Sequence, residues 1–544
     1  MNFKTADFNI KRLHGLIDWQ LLVFLVLFLD VKLAVKVAAL ILVYLLRFDF
    51  RFDFRFKNPR LPLFYLLAIG IAVFNGFIYQ SYFNLKYDLV FLSGAGLWIM
   101  CILAIHQIKL AVERNQIEIL HRTLFAFFLL NAAASVFNLA HIIWETKAIN
   151  PYLYQGMKQR YFIGTGDYIK GLTFDVSITN SVINSFGVLY FIYRKNSGML
   201  FLCMAVLLLT GSNSLNILTL VLLLIIFAFQ SNLYQKSYIV ICAMLFMIFT
   251  TKISPQNSDY VIHTSEAMFG KQSNAAIFTA PFLHPTAPVP YALLSPDEKR
   301  EWFARHYLDS EYRAIAFRLQ KAGKPLLVNR PRPYIPQPNL NLAPYQEDTD
   351  TALLRQNLLS FIKLHQTELP LAGHDAFIKG KPGKLIALKQ TAAFFNDHPQ
   401  KILTGDGLGN FSSKIAFKAT NLGFTGGYPA NYVYIGADFL VNHLDVYLNF
   451  FSKRIGFHSV INSPNSVYFQ LIGEYGIIGF ACFLIWYLGY FTKYIKQLTY
   501  GLPILVVVLG VFFLEYWFEQ LSIVVLAELM LFINIKETQT KSII

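Results

Sequence analysis

The sequence predicts an all-α integral membrane protein with about twelve transmembrane helices and a large, mainly helical extracytoplasmic domain between the ninth and tenth. Hydrophobic residues occupy 55% of the 544 positions and charged residues only 15%, a composition outside the usual range of soluble proteins. Long apolar runs recur in both halves of the chain. Lys and Arg gather at alternate ends of these runs, as they do around membrane spans.

Twelve apolar runs are candidates for spans. A lone span needs about 20 apolar residues, but shorter helices can cross inside a bundle. The runs cover residues 16–29, 33–46, 61–80, 88–106, 123–144, 177–193, 198–211, 215–230, 237–251, 466–491, 501–516 and 519–534. They divide the chain into an N-terminal bundle of about nine spans (1–251), a large outer domain (252–465) and about three C-terminal spans (466–544).

The positive charges test this count, because Lys and Arg near span ends prefer the cytoplasmic side. With twelve spans, both termini are cytoplasmic. The cytoplasmic stretches then hold Arg47, Arg51, Arg55, Lys57, Arg60, Lys109, Arg114, Arg122, Arg194, Lys195, Lys236, Lys493 and Lys496. One long span over 198–230 is the alternative, and it would place the last three of these lysines outside. The polar break at residues 210–214 favours two spans.

The outer domain must contain folded elements, since a loop of its length without secondary structure is rare. One predicted helix begins at Ser295 and ends at Gly323, and a second runs from Gly383 to His398. A glycine-rich turn follows at residues 405–411. All four cysteines lie in apolar runs, so this domain has none with which to form a disulfide.

Charge and motifs exclude several classes of function. The net charge is +15, but the basic residues cluster at span ends and form no single basic face, which excludes a nucleic-acid partner. The sequence has no paired Cys motif, His-Glu-x-x-His motif or Walker motif. Asp348 and Asp350 fit an exposed acidic turn better than a metal site, because their surroundings are rich in Pro. The sequence therefore predicts neither a metal nor another cofactor.

The stretch 458–479 carries the most specific pattern in the chain. It resembles the signature of the O-antigen ligase and polysaccharide polymerase superfamily, which lies at the outer end of the span after the large loop. The matching positions are Tyr468, Phe469, Gln470, Glu474, Gly476 and Gly479. The family's His-Asn pair falls on Asn465 and Ser466, so the nearest histidines are His458, seven residues earlier, and His443 further upstream.

Three other stretches support the resemblance. Residues 209–214 are similar to a family motif that closes a span, with Asn213 where the family has arginine. Residues 160–184 resemble its second outer loop and the following span. Lys384 precedes a helix and the glycine-rich turn, as a basic residue does in the family.

The resemblance implies transfer of a glycan from a polyprenyl diphosphate to an acceptor hydroxyl, without metal. Cations must face the departing diphosphate, and Arg160, Lys158 and Lys384 are the candidates. Contact with solvent or lipid phosphate is the alternative for each. His458 is the candidate base because imidazole titrates near neutrality, and a purely structural histidine is the alternative.

Glu474 is the second candidate catalytic residue. A carboxylate inside a span is costly, so it is functional or paired by default, and bracing neighbouring helices is its alternative role. The remaining candidates for substrate binding are Asn213, Asn465, Gln470 and His443. Asn465 cannot act as a base, but its amide could orient a hydroxyl or a sugar.

The implied partners are a polyprenyl diphosphate-linked glycan donor, a glycan or lipid A core acceptor, and membrane lipid. The implied location is the bacterial inner membrane, with the large domain in the periplasm. Ligase and polymerase differ in the acceptor, which the sequence does not separate. A flippase or transporter of lipid-linked glycans is the main alternative, but it should have two related halves, and no such repeat is present. A non-catalytic relative is a third possibility.

Overall fold

The computed structural model describes residues 15–54, 56, 59–79, 81–153, 168–255, 383–420, 428–429, 432–443 and 463–543. Helices and the turns between them make up these ranges, and no strand occurs within them. In chain order their α-helices are α1 (Trp19–Phe28), α2 (Leu33–Leu46), α3 (Phe64–Ile78), α4 (Leu85–Arg114), α5 (Ile117–Thr146), α6 (Ser177–Tyr193), α7 (Ser197–Leu209), α8 (Asn213–Phe229), α9 (Leu233–Ile248), α10 (Gly383–Asp397), α11 (Lys414–Ala419), α12 (Ala437–Asn442), α13 (Val467–Cys482, extended by a π-helix and by a last α-helical turn at Gly489–Thr492), α14 (Gly501–Val511), α15 (Trp517–Gln520) and α16 (Ser522–Ile543). The predicted all-helical class is confirmed for this part of the chain.

Four helical stretches among the described residues are long and apolar enough to cross a membrane. They are α4, α5, α9 with its extension (Leu233–Ile253) and α13 with its extension (Val467–Thr492). Six shorter apolar helices of 10–17 residues are α1, α2, α3, α7, α8 and α14. These helices are compatible with a membrane protein. A helix occupies each of the twelve predicted runs, and that all twelve cross a bilayer stays a prediction.

The region 197–230 forms two helices, as its polar break predicts. Helix α7 ends at Leu209, whose carbonyl accepts a hydrogen bond from the hydroxyl of Tyr152. Helix α8 begins at Asn213 and ends near Gln230, whose side chain accepts from the hydroxyl of Tyr193 at 2.5 Å. The end of α7 and the end of α8 therefore contact different parts of the bundle, as expected for two separate helices.

Helices α6 and α16 lie at the centre of the bundle. Residues 179–192 of α6 and residues 522–535 of α16 are all buried. Polar groups in such surroundings need partners. The amide of Asn131 donates to Asn180 Oδ1 at 2.8 Å, and the hydroxyl of Tyr65 donates to Glu528. These bonds tie the central helices to α5 and α3.

The helix ends that the charge pattern places inside contact one another. Arg60 Nε donates to Glu113 at 3.1 Å, Arg194 pairs with Glu537 at 3.3 Å, and Lys536 Nζ donates to Asn115 O at 2.7 Å. A salt bridge or a capped carbonyl thus joins the ends of several helices at one face, called the inner face below.

The ends predicted to lie outside form a second group, called the outer face below. Val31 N donates to Thr173 O at 2.8 Å, and Asn150 Nδ2 donates to Ile253 O at 2.9 Å. The described part of the outer domain lies at this face, and α10 (Gly383–Asp397) corresponds to the second helix predicted for it. The other predicted helix, from Ser295 to Gly323, lies outside the described residues.

The glycine-rich turn docks into a break in α13 at Gly476. In a regular helix the amides of Ile477 and Ile478 would bond the carbonyls of Gly473 and Glu474. Here those amides donate instead to the carbonyls of residues 402 and 403, at 2.9 and 3.0 Å. The two released carbonyls accept from the amides of residues 406 and 407, at 2.8 and 3.0 Å. Two helical bonds are thus replaced by four bonds between the turn and the helix.

Glycine is required on both sides of this contact. Gly476 has φ +67°, and a Cβ there would lie 2.4 Å from the carbonyl oxygen of Leu403. Gly405 has φ +79°, and a Cβ there would lie 2.4 Å from the carbonyl carbon of Glu474. A side chain at either position would separate the turn from the helix.

Candidate functional site

Glu474 lies at the centre of the contact between the turn and α13. Its carboxyl is fully buried and accepts a hydrogen bond from the amide of Gly409 at 2.7 Å. The side chains of Gln470 and Ser413 also bond it, with Gln470 Nε2 3.4 Å away. Glu474 is therefore anchored by groups from two segments that are distant in sequence.

Gln470 joins Glu474 to a second buried carboxyl, that of Glu519 in the short helix α15. Gln470 Nε2 donates to Glu519 Oε1 at 2.6 Å, and the amide of Ile415 donates to Glu519 Oε2 at 3.1 Å. Burial raises the pKa of Glu519, although the amino groups of Lys414 and Lys418 act to lower it. Burial therefore favours the neutral form of this carboxyl.

Asn465 is held in the loop just before α13. Its amide nitrogen donates to both carboxyl oxygens of Glu515, at 2.9 and 3.0 Å. Its main-chain carbonyl accepts from the amino group of Lys384. The lysine, the asparagine and the glutamate thus form one connected group at the outer face.

Lys384 is itself almost fully buried, with 3% of its surface exposed, and its amino group lies 5.2 Å from the ring centre of Phe513. Burial lowers its pKa to about 7, against the attraction of Glu515. A lysine in this environment is only partly charged at neutral pH. It is better placed to hold Asn465 than to serve as a permanent cation.

His443 lies beside the ring of Phe411, with the ring centres 4.2 Å apart, and is fully buried. Neither ring nitrogen has a hydrogen-bond partner among the described residues. Burial lowers the pKa of this imidazole to about 3, so it is neutral at physiological pH. The structure therefore places His443 behind the glycine-rich turn, packed against an aromatic ring.

The other predicted site residues lie elsewhere. Asn213 is the first residue of α8, at the turn between α7 and α8. His458, Arg160 and Lys158 lie outside the described residues. Of the predicted positions, Glu474 and Gln470 are in direct contact, and Lys384 contacts Asn465.

A second ionic cluster flanks the turn. Lys401 Nζ bonds Asp406 at 2.5 Å and Asp438 at 2.6 Å, which links the turn to α12. Asn75 of α3 donates to the carbonyls of Thr404 and Glu474, at 2.6 and 3.2 Å. Both contacts fix the position of the turn against the bundle.

Sequence analysis missed four charged residues of the site: Glu515, Glu519, Lys414 and Lys418. The sequence carries weak signals for them. Two acids stand where two apolar runs meet, and two lysines stand four residues apart in α11. Each signal alone fits solvated charges, and only the folded chain brings them together.

Searches of protein-family models, curated proteins and solved structures find no match to this chain.

Proposed function

We propose that this protein is a membrane glycosyltransferase of the O-antigen ligase type, which moves a glycan from a polyprenyl diphosphate to an acceptor sugar hydroxyl. The observation that carries the proposal is a contact between two of the stretches that carry the resemblance. The glycine-rich turn bonds α13 at Glu474 through the amide of Gly409. Carboxyl, amide and amino groups are gathered there at the outer face of an apolar helical bundle.

The proposed reaction is a direct displacement. The acceptor oxygen forms a bond to the anomeric carbon, and the bond from that carbon to the diphosphate oxygen breaks. The diphosphate leaves with the electron pair of that bond, while the acceptor proton passes to a base, for which we propose His458. Arg160 and Lys158 would stabilise the negative charge that builds up on the leaving group.

Within this proposal Glu474, Gln470 and Lys384 are positioning residues. Glu474 holds the segment that leads to α11, and Gln470 fixes the distance between Glu474 and Glu519. Lys384 fixes Asn465, whose amide points at Glu515. Preorganised groups of this kind contribute most when they need not move during the reaction.

The proposal includes a location in the bacterial inner membrane, with twelve spans, both termini in the cytoplasm and residues 252–465 in the periplasm. The grouping of helix ends at two faces supports it, because the ends rich in Lys and Arg share one face. A polymerase of the same superfamily would use the same donor and a carrier-linked glycan as acceptor.

Glycan transfer by the purified protein in proteoliposomes, with a polyprenyl diphosphate-linked oligosaccharide and an acceptor glycan, tests the proposal. We expect product from the wild type and none from His458→Ala. His141→Ala is the matched control, because His141 is an exposed histidine near the outer end of α5 and should leave transfer unchanged. Movement of the donor between leaflets without any transfer product would instead identify a flippase.

A further inference from the structure

A cleft lies at the inner face, where three helix ends meet. Helix α1 begins there at Trp19, α2 ends at Leu46 and α4 ends at Arg114. The cleft contains about 280 Å³ of space, part of it open to the surroundings, close to the lower end of the roughly 300–1,000 Å³ of small-molecule pockets. Its apolar wall is formed by Leu21, Phe24, Val43, Leu110 and Ala111. Such a wall suits a ligand that is at least partly apolar.

Two arginines line the rim of this cleft, at the helix ends. Arg47 caps the end of α2 and is partly buried, and its guanidinium has no hydrogen bond or ion pair with any residue of the described ranges. Arg114 lies 3.3 Å from Asp49, a carboxylate that Arg51 also bonds at 2.6 Å. The charge of Asp49 is thus already matched, and the guanidinium of Arg47 is available to an anion.

Asp18 is the one carboxylate among the lining residues, and both of its oxygens are engaged. Oδ1 accepts from the amide of Leu21 at 3.0 Å, and Oδ2 accepts from Asn115 Nδ2 at 2.6 Å. Because two arginines and one carboxylate line the cleft, its formal charge is that of one cation. A ligand with a single negative charge would neutralise it.

Gln107 supplies a buried donor deeper in the same cleft. Only 5% of its surface is exposed, and its amide nitrogen meets no acceptor at hydrogen-bond geometry within the described ranges. The hydroxyl of Tyr44 lies nearby, but it is bonded to His106 Nδ1 at 3.0 Å and can take only one of the two amide hydrogens. Gln107 precedes Arg114 by seven residues, so it lies two helical turns, about 10 Å, below the rim. A ligand acceptor at that depth would satisfy it.

Exposed apolar side chains continue from the cleft on α1 and α2. Val23 follows the lining residue Gln20 by three positions and is 43% exposed, and Leu46 follows the lining residue Val43 by three positions and is 56% exposed. Residues three apart are neighbours on the surface of a helix. The cleft can hold a lipid headgroup but not its acyl chains as well, so the chains would lie on this exposed apolar surface.

We propose that this cleft binds an anionic phospholipid, with the phosphate on Arg47 and an ester carbonyl on the amide of Gln107. In a phospholipid the ester carbonyls lie between the phosphate and the chains. The cleft has its groups in the same order, with guanidinium groups at the rim, an amide below them and apolar side chains alongside. A free phosphate would leave the amide and the apolar wall unused. The inference depends on the apolar bundle alone and not on the proposed reaction.

The segment 1–14, which precedes α1 in the sequence, is the other candidate occupant of the cleft. It contains Lys4, Lys11 and Arg12 but only one acid, Asp7, so its charge has the same sign as the charge of the rim. Like charges repel, which favours the phospholipid over this segment.

Binding of phosphatidylglycerol to the full-length protein in a mild detergent, followed by native mass spectrometry, tests this assignment. The wild type should bind phosphatidylglycerol more tightly than phosphatidylcholine, which has no net charge. A charge-assisted contact contributes about tenfold in affinity, so Arg47→Gln should bind phosphatidylglycerol about tenfold more weakly. Ala111→Leu, which fills the cleft without removing a charge, should also weaken binding. Arg122→Gln, a change of an exposed arginine at the inner face that does not line the cleft, is the matched control and should bind normally.

The ester contact has a test of its own. Dialkyl-ether phosphatidylglycerol has the same headgroup but no ester carbonyl. The wild type should bind the ester lipid about fivefold more tightly than the ether lipid, because only the ester accepts from Gln107. Gln107→Leu should bind both lipids equally. The same preference for the ester lipid in the wild type and in Gln107→Leu would remove Gln107 from the site.

Three results would overturn the assignment. The first is unchanged phosphatidylglycerol binding in Arg47→Gln and Ala111→Leu, with thermal unfolding in lipid-free detergent showing that both variants are folded. The second is displacement of the lipid by inorganic phosphate at equal affinity, which would indicate a site for a free anion. The third is phosphatidylglycerol binding that appears only after deletion of residues 2–14, which would indicate that this segment occupies the cleft. Glycan transfer enters none of these measurements, so a failure here leaves the proposed function standing.

Discussion

The carboxyl of Glu474 shows how one buried residue can hold two segments together. Its oxygens accept from the amide of Gly409 in the turn and from Gln470 one helical turn away. A main-chain amide that is buried without an acceptor lowers the stability of the fold by about 1–3 kcal/mol. A replacement side chain of similar shape that still offers an oxygen preserves the hydrogen bond. The bracing role suggested by the sequence therefore predicts that removal of the Glu474 carboxyl destabilises the fold.

Glu474→Ala should lower the stability of the folded protein by about 1–3 kcal/mol, because the amide of Gly409 loses its acceptor. Glu474→Gln retains a carbonyl oxygen and should cost less. Thermal unfolding in detergent, followed by tryptophan fluorescence, measures both. Equal stability of the alanine variant and the wild type would show that Glu474 does not brace the turn.

Glu519 gives the molecule a pH dependence whose sign follows from its environment. Burial raises its pKa in the folded protein above the ordinary value of 4.5. Between the ordinary and the raised pKa the folded state binds more protons than the unfolded state, so stability falls as pH rises above about 4.5.

Comparison of the wild type with Glu519→Gln isolates this effect, because the amide cannot titrate. The wild type should lose stability relative to the variant between pH 5 and pH 7, in a thermal unfolding series. A constant difference between the two proteins across that range would mean that the buried carboxyl keeps its ordinary pKa.

At the scale of the elements, the break in α13 determines where the outer domain attaches. Gly476→Ala would force a methyl group to within 2.4 Å of Leu403 O and hold a non-glycine residue at φ +67°. We expect a loss of several kcal/mol and increased proteolysis of the turn. Limited proteolysis and thermal unfolding check this.

Gly70→Ala is the matched control, since Gly70 lies in helix α3 and a Cβ there meets nothing within 4 Å. An alanine is favoured over glycine in a helix by about 1 kcal/mol, so this variant should be neutral or slightly more stable. Similar stability and similar proteolysis of Gly476→Ala and Gly70→Ala would indicate that α13 tolerates a side chain at position 476.

The elements themselves were largely predictable from the sequence, because apolar runs determine where helices form in this chain. Each of the twelve runs contains a helix, and α10 lies where the second helix of the outer domain was predicted. The break at Gly476 was not predicted. A glycine within an apolar run is compatible with a continuous helix, and the bonds that replace the helical ones come from residues about 70 positions earlier.

The contacts of the site were predictable from the sequence only in part, because some of them are local and others join distant segments. Gln470 and Glu474 are four residues apart on one helix, so their contact follows from helical geometry. The contacts of Glu519 with Gln470 and with the amide of Ile415 depend on long-range packing. Sequence spacing contains no information about such distances.

At the scale of the whole molecule, cysteines introduced at the two faces should differ in their reaction with a reagent that cannot cross the membrane. The four cysteines of the chain, Cys101, Cys203, Cys242 and Cys482, are all buried, so the wild type should react poorly with a membrane-impermeant maleimide. With twelve spans and cytoplasmic termini, Ile149→Cys should react in intact spheroplasts. Ile149 is 94% exposed at the outer face.

Lys195→Cys and Lys496→Cys should react only after the membrane is permeabilised, because both exposed lysines lie at the inner face. Labelling of all three positions in intact cells would contradict the proposed orientation. Labelling of Lys496→Cys but not of Lys195→Cys would favour a single span over 198–230.

The exchange of hydrogen bonds at Gly476 also has a mechanical consequence. Residues 402–407 cannot leave α13 without breaking four hydrogen bonds, which would leave eight main-chain groups without their partners. The amide hydrogens of residues 406, 407, 477 and 478 should therefore exchange with solvent in one concerted opening. A force applied to the outer domain, for instance by a bulky glycan, would be transmitted through residues 402–407 to α13 at Gly476.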